Sequence, residues 1–128
     1  MTFDYKWLIK RVDSGYGKQL QDYFKDILDS DDIRPRFYIQ QEGYTLPWHT
    51  DNGTLCSINI VCNEDTSPIN FRDEDIFYKV ALLNTQVEHS VSTTTKERWL
   101  FRLSIFDKKF EAVRDRLIKK KSLLECIK

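Results

Sequence analysis

The sequence has no excess of charge of either sign, no long apolar run and no signal-peptide pattern. Lys and Arg together number 20, and Asp and Glu together also number 20, so no global field exists that would attract nucleic acid or anionic lipid. No stretch approaches the roughly 18 consecutive apolar residues of a membrane span, and the first residues lack the apolar core of a signal peptide. We therefore expect a cytoplasmic protein that binds neither nucleic acid nor membrane.

Paired cysteines and nucleophile motifs are also missing. Cys56, Cys62 and Cys126 contain no C-x-x-C spacing, which argues against a disulfide framework and against a cysteine zinc site. We expect three reduced thiols. No G-x-S-x-G motif and no Cys-His-Asn set is present, so the sequence does not indicate a hydrolase with a side-chain nucleophile.

The pattern that is present predicts one mainly β domain over residues 1–128, with a helix near each end. Alternation predicts a strand over 3–9. Helical spacing between Leu20 and Leu28 predicts an amphipathic helix, which the acidic run Asp29 to Asp32 and Pro35 are expected to end. A closing helix is predicted around Phe110. The strands predicted between these helices lie near 36–41, 44–51, 54–62, 68–72, 76–84, 87–91 and 97–106. Many short strands without intervening helices are typical of a sandwich, barrel or jelly roll.

Both histidines of the chain, His49 and His89, fall in predicted strands. His49 and Asp51 are two residues apart, so on a strand their side chains would leave the same face, and His89 would supply a third ligand. Two imidazoles and one carboxylate on one face of an octahedral ion leave three positions open, an arrangement typical of Fe(II) oxygenases. Because 13 of the 128 residues are aspartate, this hypothesis depends on the combination with the strand described next. Taken singly, each histidine fits an ordinary structural role at a strand end or in the core.

The predicted strand 97–106 carries arginines on one face. Arg98, Leu100, Arg102 and Ser104 alternate with Trp99, Phe101, Leu103 and Ile105. If the aromatic face packs on the helices, the arginines point between two sheets, where an unpaired guanidinium is costly. A dicarboxylate would satisfy them. The alternatives are an internal ion pair with an aspartate or glutamate, or an exposed edge strand.

Three runs of this sequence resemble the Fe(II)- and 2-oxoglutarate-dependent oxygenases, especially the prolyl hydroxylase-like branch. They are Leu46-Pro47-Trp48-His49-Thr50-Asp51, then His89-Ser90-Val91, and then Arg98-Trp99-Leu100-Phe101-Arg102-Leu103-Ser104. The resemblance covers roughly 36–107. It implies a double-stranded β-helix, also called a jelly roll, in which an H-x-D pair and a distal His bind iron. A basic residue on the last core strand binds the far carboxylate of 2-oxoglutarate.

Carried over residue by residue, the resemblance implies that His49, Asp51 and His89 are the iron ligands. Arg98, nine residues after His89, matches the arginine spacing of several hydroxylases of this branch. Arg102 is the second candidate for the cosubstrate arginine.

Further cosubstrate residues follow from the same resemblance. Arg102 and Ser104 match an R-x-S pattern of other members, Tyr38 resembles a tyrosine that often contacts the cosubstrate, and Asn59 is a polar residue on the strand after the H-x-D pair. Leu46 departs from the family, since prolyl hydroxylases often have a tyrosine there, and this departure weakens the expectation of prolyl specificity.

The implied activity is hydroxylation of an unidentified substrate, either a small molecule or a peptide, with Fe(II), 2-oxoglutarate and O₂ and with release of succinate and CO₂. Two alternatives stay open. One is a cupin-like metal enzyme that uses the same three ligands without 2-oxoglutarate. The other is a noncatalytic β-sandwich binding module whose histidines are incidental.

Overall fold

The computed structural model describes residues 7–11, 15–43, 45–63, 68–92, 97–119 and 125–127. Strands predominate among these residues, and one helix precedes and another follows the main strand region. The elements in chain order are β1 (Trp7–Arg11), α1 (Gly15–Leu28), β2 (Ile33–Gln40), β3 (Leu46–His49), β4 (Cys56–Val61), β5 (Ile69–Phe71), β6 (Asp75–Ile76), β7 (Val80–Leu83), β8 (His89–Val91), β9 (Arg98–Ile105), α2 (Phe110–Lys119) and β10 (Glu125–Ile127). No helix in these ranges is both long and apolar enough to cross a membrane.

The strands form two facing sheets. The larger sheet has the order β1-β2-β9-β4-β7-β10, and the smaller has the order β3-β8-β5-β6. Between β2 and β9 the chain places four strands in each sheet, and every neighbouring pair among these eight strands is antiparallel. Two sheets of four strands connected in this way make a jelly roll. The predicted fold class is therefore confirmed.

Both faces of β9 are buried, against different layers. Its residues Phe101, Leu103 and Ile105 pack with apolar residues of α1 and α2. A second apolar cluster, which includes Phe71 and Leu83, fills part of the space between the sheets. Since alternate residues of a strand point to opposite faces, the arginines of β9 lie on the side of the smaller sheet, as predicted.

A backbone hydrogen-bond arrangement, and not the predicted effect of Pro35, ends α1. Asp29 has a φ of 52°, and Ser30 donates its backbone N–H to the Lys25 carbonyl at 3.0 Å, which is the Schellman arrangement of a helix C-terminus. Pro35 does not end the helix. Pro35 lies buried within β2. The pairing of β2 with β1 stops at Arg36, so β1 offers no partner that would need a backbone N–H at Pro35.

The observed strands differ from the predicted ones in the following respects. The run predicted as one strand over 76–84 is divided between β6 and β7, with the short segment 77–79 between them. The first strand is observed as β1, and residues 3–6 of its predicted range lie outside the described residues. β10, which pairs in parallel with β7, was not predicted.

Candidate metal centre

The two histidines are direct cross-strand partners. His49 is the last residue of β3 and His89 is the first residue of β8, and the two are paired in the antiparallel ladder. Side chains opposite each other in such a pair leave the same face of the sheet. Their ring centroids are 4.4 Å apart, so the ladder brings both imidazoles to one point between the sheets.

Asp51 completes the cluster from a loop, although the sequence placed it in a strand. β3 ends at His49, and Asp51 Oδ1 lies 3.2 Å from His49 Nε2 and 3.5 Å from His89 Nε2. One ligand atom from each of the three residues lies within 4.8 Å of the others. The three predicted metal ligands are therefore brought together, and the donor set of two imidazoles and a carboxylate suits a divalent transition metal.

Each imidazole is fixed in the tautomer that a metal ligand needs. His49 Nδ1 lies 2.7 Å from the Pro47 carbonyl oxygen, and His89 Nδ1 lies 2.7 Å from the Val87 carbonyl oxygen. A carbonyl can only accept, so both Nδ1 atoms carry the proton and both Nε2 atoms face Asp51. Such a bond to a backbone carbonyl is the usual support of a metal-binding histidine. Either a proton on Nε2 or a metal ion can satisfy the contact with Asp51.

The loop that carries Asp51 is bound by hydrogen bonds to the loop between β7 and β8. The Asp51 N–H donates to the Thr85 carbonyl at 3.0 Å, and Gln86 Nε2 donates to the carbonyls of Asp51 and Thr54 at 3.0 and 2.6 Å. Gly53 turns the loop with a φ of 88°, a conformation that favours glycine. These contacts fix the Asp51 backbone outside any strand.

Hydrogen bonds and a neighbouring positive charge favour an ionised carboxylate at Asp51, against the effect of burial. Burial alone would raise the pKa of Asp51, but hydrogen bonds from His49 and His89 and the charge of Arg102 outweigh it and hold that pKa far below its usual range. The hydrogen bond to Asp51 raises the pKa of His49 against the opposing effect of burial. Asp51 is thus in the charge state that a metal ligand requires.

The three side chains of the centre differ in their exposure to solvent. The His89 side chain is 6% exposed and the Asp51 side chain 12%, whereas the His49 side chain is 29% exposed. His49 is thus the most exposed of the three side chains.

The two candidate arginines of β9 have different partners. Arg102 donates NH2 to Asp51 Oδ2, which is the internal ion pair that the sequence left as an alternative. Arg98 is 2% exposed and donates NH2 to the Tyr78 hydroxyl at 3.3 Å. Asn59 donates Nδ2 to the same hydroxyl at 3.1 Å. Arg98, Tyr78 and Asn59 therefore form one polar cluster, which we call the Tyr78 cluster.

The remaining predicted cosubstrate residues lie around these arginines. Ser104 is buried and is paired with Ser57 of β4. Tyr38 is half-buried on β2, and the Arg102 guanidinium carbon lies 5.8 Å from the centre of its ring. Tyr38 therefore lies beside Arg102, and Ser104 lies in the ladder between β4 and β9.

Sequence reasoning missed Tyr78 and Gln86. Tyr78 belongs to the segment between β6 and β7, in a run that reads as one strand, and no spacing connects it with Arg98. Gln86 reaches Asp51 across two loops. The only available signal was that both are polar or amphipathic residues near predicted strand ends.

Comparisons with known proteins support the fold. No family model matches the chain, and no curated protein matches it in sequence. In structure it is similar to a Pseudomonas putida prolyl-4-hydroxylase, with a TM-score of 0.56, 17% identity, and coverage of 80% of this chain and 73% of that chain. It is also similar to a viral collagen prolyl hydroxylase from Paramecium bursaria Chlorella virus-1 in its 2OG complex (TM-score 0.56, 8% identity, 80% and 79% covered). A cupin superfamily protein from Desulfitobacterium hafniense gives a TM-score of 0.55 at 10% identity, with 84% of each chain covered. At these identities the similarity concerns the fold alone.

Proposed function

We propose that this protein is a non-haem Fe(II)- and 2-oxoglutarate-dependent oxygenase. The observation that carries the proposal is the convergence of His49 Nε2, His89 Nε2 and Asp51 Oδ1, with both imidazoles fixed as Nε2 ligands by backbone carbonyls. Solved structures of similar fold include two prolyl hydroxylases, one of them in its 2OG complex.

The donor set supports iron as the metal. Two neutral imidazoles and one carboxylate on one face of an octahedral ion leave three positions open, enough for a chelating ligand and dioxygen. A closed four-ligand site, which is typical of structural zinc, would need a fourth donor. Among the described histidines, cysteines and acidic residues, only these three form a cluster with metal-ligand spacing.

The Tyr78 cluster supports a carboxylate-bearing cosubstrate. Arg98 and Asn59 can only donate to the Tyr78 oxygen, so that oxygen accepts both bonds and the hydroxyl proton is available to a ligand. A buried guanidinium and a phenol proton side by side suit one carboxylate of a dicarboxylic acid. We assign the far carboxylate of 2-oxoglutarate to Arg98 and Tyr78.

In this proposal the chain's own residues bind, orient and shield. His49, His89 and Asp51 would hold the iron, and the Tyr78 cluster would orient the cosubstrate from the larger sheet. Burial of His89 and Asp51 would limit the access of water to the metal. The bound iron supplies the oxygen chemistry, in which one atom of O₂ enters succinate and the other enters the hydroxylated product. No side chain is needed as a nucleophile.

A cupin-like metal enzyme that does not use 2-oxoglutarate is the second candidate. Two observations favour it: a cupin superfamily protein shares the fold, and Arg102 already meets a protein carboxylate. The candidates differ in one property, since only the oxygenase binds 2-oxoglutarate at the metal. A noncatalytic binding module would bind no metal ion tightly at this cluster.

Turnover without a prime substrate tests the proposal. Anaerobic protein with Fe(II) and 2-oxoglutarate should show a weak visible charge-transfer band, and admission of air should release succinate slowly. Asp51→Asn should abolish both signals, while Arg34→Gln, which removes an exposed partner of Asp32, should keep them. Folded protein that binds Fe(II) but gives neither signal would favour the cupin-like enzyme. The substrate can then be sought among amino acids, peptides and small metabolites by stimulated succinate release.

A further inference from the structure

The two carboxylate oxygens of Asp51 have different partners. Oδ1 faces the two imidazoles, at 3.2 Å from His49 Nε2 and 3.5 Å from His89 Nε2. Oδ2 accepts a hydrogen bond from Arg102 NH2. The carboxylate is therefore divided between the point where a metal would lie and a guanidinium on the opposite sheet.

The position and burial of Arg102 favour this division of the carboxylate. It lies in the middle of β9, whose backbone is paired on one side with β2 and on the other with β4. Its side chain is 17% exposed and that of Asp51 is 12% exposed, so water competes little for either charge. Since a buried guanidinium without its carboxylate is costly, separation of Arg102 from Asp51 is disfavoured.

The number of open metal positions depends on this contact. If Asp51 binds through one oxygen, the three side chains occupy three of six positions and leave three open. If both oxygens bind, only two positions remain, which is too few for a chelating cosubstrate and dioxygen together. The hydrogen bond from Arg102 to Oδ2 disfavours the second arrangement.

We propose that Arg102 is a positioning residue of the metal centre, which confines the metal contact of Asp51 to Oδ1 and thereby keeps a coordination position open. This inference rests on the proposed metal site. It gives Arg102 a role other than the cosubstrate role, and it leaves Arg98 as the cosubstrate arginine. The two arginines are four residues apart on one strand, or about 13 Å along it, so they can serve different parts of the site.

Metal affinity alone does not test this role. Loss of Arg102 removes a positive charge beside the metal, and this change favours metal binding. It also removes the contact that orients Asp51, and this change disfavours metal binding. The coordination number separates a positioning role from both effects. The visible bands of bound Co(II) report that number and need neither cosubstrate nor turnover.

The experiment compares Co(II)-loaded wild type with Arg102→Gln and Arg102→Lys. We expect Arg102→Gln to change the positions and intensities of the Co(II) bands, because Oδ2 becomes free to bind. Arg102→Lys, which keeps a charged donor, should move the bands back toward those of wild type. Arg34→Gln, which removes the arginine of an exposed ion pair with Asp32, should leave the bands unchanged. Identical bands in wild type and Arg102→Gln would overturn the inference.

A measurement on wild type alone covers the case in which Arg102→Gln does not fold. The infrared difference spectrum between Co(II)-loaded and metal-free protein should show the wide separation of carboxylate stretches that marks coordination by one oxygen. The narrow separation of a chelating carboxylate would overturn the inference. Wild type that binds no Co(II) would overturn both this inference and the proposed function, whereas bound Co(II) with a chelating carboxylate would overturn this inference alone.

Discussion

His49 and His89 face each other across β3 and β8, and each donates its Nδ1–H to the carbonyl of the residue two positions earlier in its own segment. The same local bond therefore fixes the same tautomer on both sides of the ladder. Both Nε2 atoms then point to Asp51 Oδ1. The backbone supports of the two imidazoles are independent of any metal, so the chain prepares the ligands before an ion is bound.

Arg98→Ala should weaken 2-oxoglutarate binding far more than metal binding. Loss of a charged hydrogen-bond donor is worth about 1.5–3 kcal/mol, which corresponds to about 10- to 100-fold in Kd. Co(II) titration followed by 2-oxoglutarate titration on the loaded protein measures both constants. If the substitution weakens Co(II) binding more than 2-oxoglutarate binding, Arg98 does not belong to the cosubstrate site.

Tyr78→Phe should lower both stability and cosubstrate affinity. Asn59 Nδ2 and Arg98 NH2 lose the acceptor that they share, and a buried donor that loses its acceptor costs about 1–3 kcal/mol. Urea unfolding measures the first effect, and 2-oxoglutarate titration should show about ten-fold weaker binding. Tyr23→Phe is the matched control, since Tyr23 is 58% exposed on α1. Equal behaviour of the two variants would contradict the assignment.

Gln86→Ala should weaken metal binding with little effect on Tm. The Gln86 side chain is exposed but donates to the Asp51 carbonyl, so it orients a ligand without packing in the core. Loss of such a supporting residue typically lowers metal affinity by about 10-fold or more. Gln21→Ala is the control, because Gln21 donates to the Ile33 carbonyl instead. If both variants keep wild-type affinity, the Asp51 loop does not depend on Gln86.

Asp107 should contribute stability that depends on pH. It accepts hydrogen bonds from the Ser30 hydroxyl at 2.6 Å and the Asp31 N–H at 2.8 Å. Partial burial alone would raise the pKa of Asp107, but these bonds outweigh it and hold the pKa below its ordinary value. A carboxyl whose pKa is lower in the folded state stabilises the protein above its unfolded pKa of about 4. That stability is lost as the pH falls through the folded value.

Urea unfolding of wild type and Asp107→Asn from pH 7 to pH 3 checks this dependence. Wild type should be more stable by about 0.5 kcal/mol at pH 7, and the difference should shrink below about pH 4. A difference that stays constant over this range would show that the ionised carboxyl is not responsible.

Local patterns predicted a mainly β domain and the combination of His49, Asp51 and His89, whereas the jelly roll, among sandwich, barrel and jelly roll, followed from the resemblance to the oxygenases. Alternation along 97–106 predicted that Phe101 and Arg102 lie on opposite faces. In the structure Phe101 packs against the helices, and Arg102 lies between the sheets. The H-x-D pair was found for an incomplete reason. Asp51 faces His49 through contacts between loops and not through the parity of a strand.

The features that sequence reasoning missed depend on tertiary contacts. The segment between β6 and β7 contains neither glycine nor proline, so 76–84 reads as one continuous strand. Tyr78 therefore had no visible relation to Arg98. The division of roles between Arg98 and Arg102 was undetermined for a similar reason, because both lie on one face and only the position of Asp51 distinguishes them.

Equilibrium dialysis with Mn(II), or with Fe(II) under anaerobic conditions, tests the metal centre most directly. Wild type should bind one ion per chain, and His49→Ala and Asp51→Asn should each weaken binding by more than about 100-fold, since loss of a ligand costs more than loss of a residue that orients one. Arg34→Gln should bind as wild type does. A wild-type protein without a tight site, or a His49→Ala variant with unchanged affinity, would contradict the metal centre.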